Sequence, residues 1–250
     1  MILEFLNLNI VEICFAIFII FIAYIIKGLS GFGSGLVAIP LLAFFLPITF
    51  VVPILGLLSY SGTFIQSLSL RKQASWPVIL PLIPFSFAGI IVAVWLLSTV
   101  DAHILVFFLG LFVLLYSIYS LLPVTDLTGA RYWAVLCGSL GGLVGALFGT
   151  GGPFYVVYLK LRQLDKSQFR ATIASIFLID GGARIIGYAS SGLYTPQVLT
   201  LVAILFPVLL LGMYIGHHLH LKIEQKRFNQ MISVMLMLSG IMLMYKTLIF

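Results

Sequence analysis

Gly31-Phe-Gly-Ser-Gly35 and Gly149-Thr-Gly-Gly-Pro153 are two short glycine-rich stretches in an otherwise apolar chain of 250 residues. A membrane helix gains nothing from several glycines close together unless its backbone must bend, approach a partner closely or offer free N–H groups. Each stretch is therefore predicted to break a transmembrane helix. We call them the first and the second glycine break.

The overall composition is that of an integral membrane protein. Hydrophobic residues make up 62% and charged residues 8% of the chain, and the mean hydropathy is +1.22. A soluble domain carries about 25% charged residues. The excess of basic residues is expected from cytoplasmic loops, so nucleic acid is not expected as a partner. Uncharged runs near the ~20 residues of a bilayer crossing lie at 49–70, 77–99, 196–216 and 228–245.

Two sequence repeats are predicted within a single transmembrane domain over residues 1–250. The second break follows the first by 118 residues, from 31 to 149, and the same offset pairs Gln66 with Arg184. Repeat one is expected at residues 10–122 and repeat two at residues 131–247.

Charge on equivalent loops predicts that the repeats have inverted topology. Arg71 and Lys72 correspond to the uncharged residues 190–195, whereas the uncharged residues 47–48 correspond to the basic stretch 160–170. Because basic loops stay on the cytoplasmic side, equivalent loops lie on opposite sides of the membrane. The expected fold is an all-α polytopic membrane protein in which each repeat is a glycine-broken helical hairpin followed by three transmembrane helices. Both termini are expected outside.

Inverted repeats with interrupted helices at matching positions are typical of secondary transporters, in which the breaks meet near the middle of the membrane and bind the substrate. Close packing between helices is the alternative explanation for the glycines. We favour binding because the glycines are clustered and the clusters recur at equivalent positions.

An interrupted helix exposes backbone N–H groups at the start of the following half-helix, where the helix dipole adds about half a positive charge. Such ends bind anions, and hydroxyl groups beside the breaks add donors. The expected ligand is a small oxyanion such as a carboxylate or a sulfonate, and neither a metal ion nor a cofactor is expected. The predicted substrate-binding residues are Ser30, Gly31, Gly33, Ser34, Gly35, Gly149, Thr150, Gly151 and Gly152, with Gln66 and Arg184.

Asp180 and Arg184 are two charged residues well inside the predicted helix at 171–188. They are four residues apart, so they share one face of the helix, and each would cost ~3 kcal/mol at the bilayer centre if it stood alone. Two interpretations stay open. Either Arg184 contributes charge to an anion site and Asp180 neutralises it when the site is empty, or the two form a structural ion pair.

The residues of both breaks resemble a known family. Gly31-Phe-Gly-Ser-Gly-Leu-Val-Ala-Ile-Pro40-Leu is similar to the GxGGGxxxxPxL element of the sulfite exporter TauE/SafE family, also called the toluene sulfonate uptake permease family. The second break resembles the family's GxGGP element, and residues 166–175 resemble the segment after it. Ser34 departs from the usual glycine and either narrows the site or adds a donor. The resemblance implies transport of sulfur-containing anions such as sulfite, thiosulfate or organosulfonates across the cytoplasmic (inner) membrane.

Two other classes of function were weighed against a transporter. An intramembrane enzyme needs clustered carboxylates, a metal-binding set or an activated nucleophile, and with seven acidic residues in the chain the sequence does not indicate an enzyme. A passive anion channel, lined by the same donors, stays open. The expected partners are a small anion and the lipid bilayer, and a homodimer also stays open.

Overall fold

Residues 9–30, 33–67, 73–121, 132–219 and 225–249 are described by a computed structural model of the chain. The regular structure within these ranges is helical, which confirms the all-α prediction for this part of the chain. The helices are α1 (Ile10–Ser30), α2 (Ser34–Leu42), α3 (Ile48–Ser67), α4 (Trp76–Ile79), α5 (Ile83–Thr99), α6 (Ala102–Leu121), α7 (Trp133–Phe148), α8 (Gly152–Leu161), α9 (Lys166–Ser190), α10 (Pro196–His218) and α11 (Gln225–Ile249).

Four of the described helices, α1, α3, α6 and α10, are long and apolar enough to cross a membrane. The shorter apolar helices α5 and α7, and residues 233–247 of α11, add further membrane-compatible segments. The chain is therefore a multi-pass membrane protein, as its composition predicts.

The predicted helix at 77–99 is wrong as a single element, because the chain turns at residues 80–82 between α4 and α5. Pro81 and Pro84 lie in this region and have no N–H to donate. The backbone tightens instead, and the N–H of Leu82 donates to the carbonyl of Ile79 over 3.0 Å. The turn places Ser86 one turn inside α5.

The helix that contains Asp180 and Arg184 was predicted at 171–188. Its predicted start is also wrong, because α9 begins at Lys166. Asp165 caps it: one carboxylate oxygen accepts hydrogen bonds from the backbone N–H groups of Ser167 and Gln168, at 2.8 and 2.9 Å. The basic stretch 160–170 is therefore the last two residues of α8, a short connection and the first turn of α9.

One compact unit of the chain comprises residues 1–51, 100–124 and 196–250. Within it α1 packs on α10 and α6 packs on α11, while α2 contacts α1, α6 and α11. Glycines allow both helix pairs to approach closely, since an added methyl group at Gly216 would lie 2.3 Å from the carbonyl oxygen of Ile25 and one at Gly240 would lie 2.9 Å from that of Gly110. We call this the first unit.

The second unit comprises residues 52–99 and 125–195, which include most of α3 together with α4, α5, α7, α8 and α9. Its core lies where α5, α7, α8 and α9 pack together, and Ile79, Leu82, Tyr155, Tyr158 and Leu159 are buried in one apolar cluster. Each unit takes helices from both halves of the sequence. The first glycine break lies in the first unit and the second break in the second unit.

Candidate functional site

The second glycine break is a tight reversal between α7 and α8. Gly149 ends α7 with φ 61° and ψ 16°, a left-handed conformation that glycine adopts without strain. Thr150 and Gly151 follow, and α8 begins at Gly152. Because Pro153 at the start of α8 has no N–H, the free amide donors that helix geometry leaves at this end are those of Gly151, Gly152 and Phe154.

Gly151 is needed for a close approach of backbones. Its φ of −65° is ordinary for any residue, but an added methyl group would lie 2.2 Å from the carbonyl oxygen of Gly141 and 3.1 Å from Cα of Gly145. The start of α8 therefore rests directly on the last two turns of α7.

Helix lengths agree with the predicted position of this break near the middle of the membrane. The ten residues of α8 span ~15 Å, half of a ~30 Å hydrocarbon core. Asp180 lies in α9 ten residues before its end at Ser190, again ~15 Å from that end. The break and the buried charges of α9 thus share a similar depth.

Asp180 is the central acidic group of the second unit and is 2% exposed. Its Oδ1 accepts hydrogen bonds from Oγ of Ser86 at 2.5 Å and from the phenol of Tyr155 at 2.6 Å. The two hydroxyl oxygens lie 2.9 Å from each other. Three helices, α5, α8 and α9, therefore meet at one carboxylate oxygen.

Arg184 neutralises this carboxylate. Its Nη2 lies 2.9 Å from Oδ2 of Asp180, and its side chain is 13% exposed. An isolated charge at this depth would cost ~3 kcal/mol, so the pair is far cheaper to bury than either member alone. The structure confirms that the two side chains share one face of the helix.

Arg184 also binds the end of α7, together with Tyr188. The last four carbonyl groups of a helix have no acceptor role within it. Nη1 of Arg184 donates to the carbonyl of Gly145 at 2.8 Å, and the hydroxyl of Tyr188 donates to that of Ala146 at 2.5 Å. Side chains of α9 thus hold α7 in place at the point where the second break begins.

Four polar atoms near this centre are buried without a hydrogen-bond partner in the part of the chain that the structure describes: Oδ2 of Asp180, Nε of Arg184, Oγ1 of Thr150 and the hydroxyl of Tyr194. Oδ2 of Asp180 is the oxygen that forms the ion pair with Nη2 of Arg184. The other three atoms are able to donate, and Thr150 is 2% exposed. The ring of Tyr194 packs edge-on against Tyr188, with centroids 6.2 Å apart. Burial raises the pKa of the Tyr194 phenol, so it remains a neutral donor.

Unsatisfied buried donors are costly, at ~1–3 kcal/mol each, and are rare in native proteins. The free Nε of Arg184 and two hydroxyl donors around a helix break form an environment that suits an anion. The arrangement has one carboxylate and no cluster of three His, Cys, Asp or Glu side chains among the described residues.

The first glycine break is described in part. Gly33 has φ 94°, in the left-handed region, and precedes α2. Ser34 and Gly35 are buried in the first turn of α2. Ser30 ends α1, but its side chain lies outside the described residues, as does Gly31. The nine residues of α2 span ~13 Å, again about half a crossing.

Gln66 and Arg184 lie at different depths. A methyl group added to Gly56 would contact the ring of Tyr188, and one added to Gly181 would contact the ring of Tyr60, so α3 and α9 run antiparallel. Gln66 lies six residues beyond Tyr60, ~9 Å further along α3 and away from Arg184. The side chain of Gln66 is outside the described residues.

Sequence reasoning missed four polar residues of this centre: Ser86, Tyr155, Tyr188 and Tyr194. The positions of two of them could have indicated their role. Tyr155 lies two residues after Pro153 of the break, and Tyr188 lies a helical turn beyond Arg184. Ser86 and Tyr194 offered no such indication, because isolated serines and tyrosines are common in membrane helices and at their ends.

Comparison with known proteins gives one finding. A family model described as Sulfite exporter TauE/SafE matches residues 16–243, nearly the whole chain. No curated protein and no solved structure matches. The match confirms the resemblance carried by the two glycine breaks.

Proposed function

The chain belongs to the sulfite exporter TauE/SafE family, and on that premise we propose that it is a secondary transporter of a small anion. The family is one of membrane transporters, and its name points to sulfite. The proposed cargo is a sulfur-containing oxyanion or an organosulfonate, carried across the cytoplasmic (inner) membrane. Transport in this family is not an enzymatic activity.

The observation that carries the proposal is a buried cation with a free donor beside a helix break. Nε of Arg184 and Oγ1 of Thr150 are buried without partners among the described residues. Hydrogen bonds to charged groups contribute ~1.5–3 kcal/mol. A sulfonate or sulfite oxygen that accepts from these atoms would satisfy both, and the first-turn amides of α8 add the favourable end of its dipole.

The proposed binding residues at the second break are Gly149, Thr150, Gly151, Gly152 and Arg184. The two glycines at 149 and 151 have structural reasons as well, which are the reversal of the chain and the close approach of α8 to α7. Asp180 is proposed to hold Arg184 in place when no anion is bound.

The first break is proposed to supply an equivalent half-site from the inverted repeat, formed by Ser30, Gly31, Gly33, Ser34 and Gly35. Gln66 on α3 is proposed as a further substrate-binding residue because the 118-residue offset pairs it with Arg184. Helix starts support the duplication. From the start of α2 at residue 34 to that of α8 at 152 is 118 residues, and from the start of α3 at 48 to that of α9 at 166 is again 118. The proposed repeats remain residues 10–122 and 131–247.

Counterflow in proteoliposomes tests the proposed function. Vesicles loaded with unlabelled sulfite, thiosulfate, methanesulfonate or chloride are diluted into the same anion in labelled form. A carrier gives a transient accumulation of label that saturates with concentration. Accumulation with a sulfur anion but not with chloride supports the proposal, and flux that never overshoots equilibrium identifies a channel and contradicts it.

A further inference from the structure

Three oxygen atoms in the second unit form a closed triangle: Oδ1 of Asp180, Oγ of Ser86 and the phenol oxygen of Tyr155. All three pairs are within hydrogen-bond distance, at 2.5, 2.6 and 2.9 Å. The three residues are each 2% exposed or less, so the contacts are made away from water.

The triangle has one contact more than it has hydrogen atoms. Serine and tyrosine hydroxyls carry one hydrogen each, and an ionised carboxylate carries none. When both hydroxyls donate to Asp180, nothing joins the oxygens of Ser86 and Tyr155. A proton on Oδ1 would supply the third hydrogen, so that each oxygen donates once and accepts once.

The hydroxyl partners tolerate both states of the carboxyl group. A carboxylate held by backbone N–H groups can only accept, which favours its ionised form. A hydroxyl can rotate to donate or to accept. Ser86 and Tyr155 therefore satisfy Asp180 whether or not it carries a proton.

Charge balance gives the triangle a role in transport. With the site empty, Asp180 and Arg184 together are neutral. A monovalent anion at Arg184 would make the buried centre negative, and a net charge inside a membrane protein is costly. A proton taken up by Asp180 restores neutrality and frees Nη2 of Arg184 for the anion.

Among the described groups around Asp180, this carboxyl group is the one that can take up the proton. Arg184 faces it from α9, Ser86 from α5 and Tyr155 from α8. On α7 it is backbone at Gly145 that approaches Oδ2. The hydroxyl of Tyr188 donates to Ala146 and its ring packs against Tyr194, while Tyr60 of α3 packs on the neighbouring Gly181. Asp165, the other described acid of this unit, is exposed at the start of α9.

We propose that Asp180 binds one proton each time a monovalent anion binds at Arg184, so that the protein is an anion–proton symporter. This inference rests on the proposed function. An O–H bond forms at Oδ1 of Asp180 when the anion enters, and it breaks when the anion leaves on the other side. Each cycle moves one anion and one proton, and the charges cancel.

The test uses the full chain in proteoliposomes with methanesulfonate and a trapped pH indicator. Methanesulfonate stays ionised throughout the accessible pH range, so a proton that accompanies it is carried by the protein. The expected result is one proton taken up per methanesulfonate, with no response to membrane potential. Linkage also predicts that the apparent affinity for methanesulfonate rises as the pH falls.

Two variants give the comparison. Asp180→Asn removes the proton site, and its ratio of protons to methanesulfonate should fall toward zero. Asp165→Asn is the matched control, because asparagine also caps a helix, and its ratio should equal that of the unchanged protein. The ratio is normalised to counterflow, so a lower amount of folded protein does not alter it.

Each outcome decides between the two proposals. Absence of methanesulfonate counterflow contradicts the organosulfonate substrate and this inference with it. Counterflow without proton uptake in the unchanged protein, or with a sodium requirement in its place, overturns the inference and leaves the proposed function standing. Proton coupling that persists in Asp180→Asn overturns the assignment to Asp180.

Discussion

Arg184 has two structural contacts and one free donor. The sequence left two interpretations open, an anion-binding charge or a structural ion pair, and these contacts are compatible with both at once. It pairs with Asp180 and caps the carbonyl of Gly145, so it stabilises the fold. Its Nε remains buried without a partner among the described residues, so it can also bind an anion. Removing it should therefore affect both stability and transport.

Arg184→Gln is predicted to lower the free energy of unfolding by ~3–5 kcal/mol, because it leaves Asp180 as a lone buried charge. Thermal unfolding in detergent measures this loss. Asp180→Asn combined with Arg184→Gln removes both charges and should recover most of the stability.

Transport separates the two roles of Arg184 in that double variant. If Arg184 binds the anion, the recovered protein should still transport poorly, since one charge-assisted hydrogen bond of ~1.5–3 kcal/mol is missing. Near-normal methanesulfonate counterflow in the double variant would show that the pair is structural only.

The glycines of the two breaks are predicted to resist substitution for different reasons. Gly33→Ala places a side chain at φ 94° and should cost ~1–2 kcal/mol of strain. Gly151→Ala forces α8 away from Gly141 and should cost ~1–3 kcal/mol. Thermal unfolding of the detergent-solubilised proteins compares the two losses.

Gly182→Ala is the matched control, because the nearest atom to the added methyl group is 3.9 Å away and alanine favours a helix. Its stability should equal or exceed that of the unchanged protein. Unaltered stability in Gly33→Ala and Gly151→Ala would contradict the account of both breaks.

At the scale of single helices, α9 organises the second unit. Its start is tied to the segment before α4, since the backbone N–H of Ser75 donates to Thr172 at 3.0 Å and Ser167 bonds to Gln73. The residues just before Gln73 are the basic pair at 71–72. Its middle holds the buried charges, and its other end bears the uncharged turn at 190–195.

The topology prediction places the basic start of α9 on the cytoplasmic side. The contacts of α9 add that Gln73, which directly follows the basic pair at 71–72, lies on the same side as this start. Arg162→Cys should be labelled by an impermeant thiol reagent from the cytoplasmic side, and Ser191→Cys from the outside. Cys14 is exposed, so it is first replaced by serine. Labelling of either engineered cysteine from the opposite side only would contradict the orientation of the second repeat.

The sequence could predict those features that a local pattern of residues encodes. The breaks and the Asp180–Arg184 pair were predictable, because clustered glycines and charges four residues apart are rare in apolar helices. The start of α9 was missed although Asp165 is a good helix cap, and the turn before α5 was missed although Pro81 and Pro84 mark it. The contacts of Tyr155 and Ser86 with Asp180 join residues 25 and 94 positions apart across helices, and no local pattern encodes them.

At the scale of the whole molecule, each compact unit combines helices from both sequence halves. In the first unit α1 packs on α10, and in the second unit α7 packs on α5. The 118-residue offset relates α1 to α7 and the segment of α4 and α5 to α10, so these two packings are equivalent. This equivalence supports the proposed duplication.

Lys246 is a basic residue that the topology prediction placed on the outer side, against the charge rule. The structure gives it a local partner, since its Nζ donates to the carbonyl of Phe44 at 2.9 Å and lies 5.4 Å from the centre of that ring. A lysine bound to backbone within the first unit has a structural reason for its position.

The central claim is that a small anion binds at the second break beside Arg184, and protection of Thr150→Cys tests it most directly. The variant is made with Cys14→Ser and Cys137→Ala, and its rate of reaction with a small thiol reagent is measured in proteoliposomes with and without methanesulfonate or sulfite. Ser191→Cys, in the exposed turn after α9, is the control. The account predicts that one of these anions slows modification of Thr150→Cys several-fold at saturation and leaves Ser191→Cys unchanged. Equal rates at Thr150→Cys with and without an anion that the protein is shown to transport would contradict it.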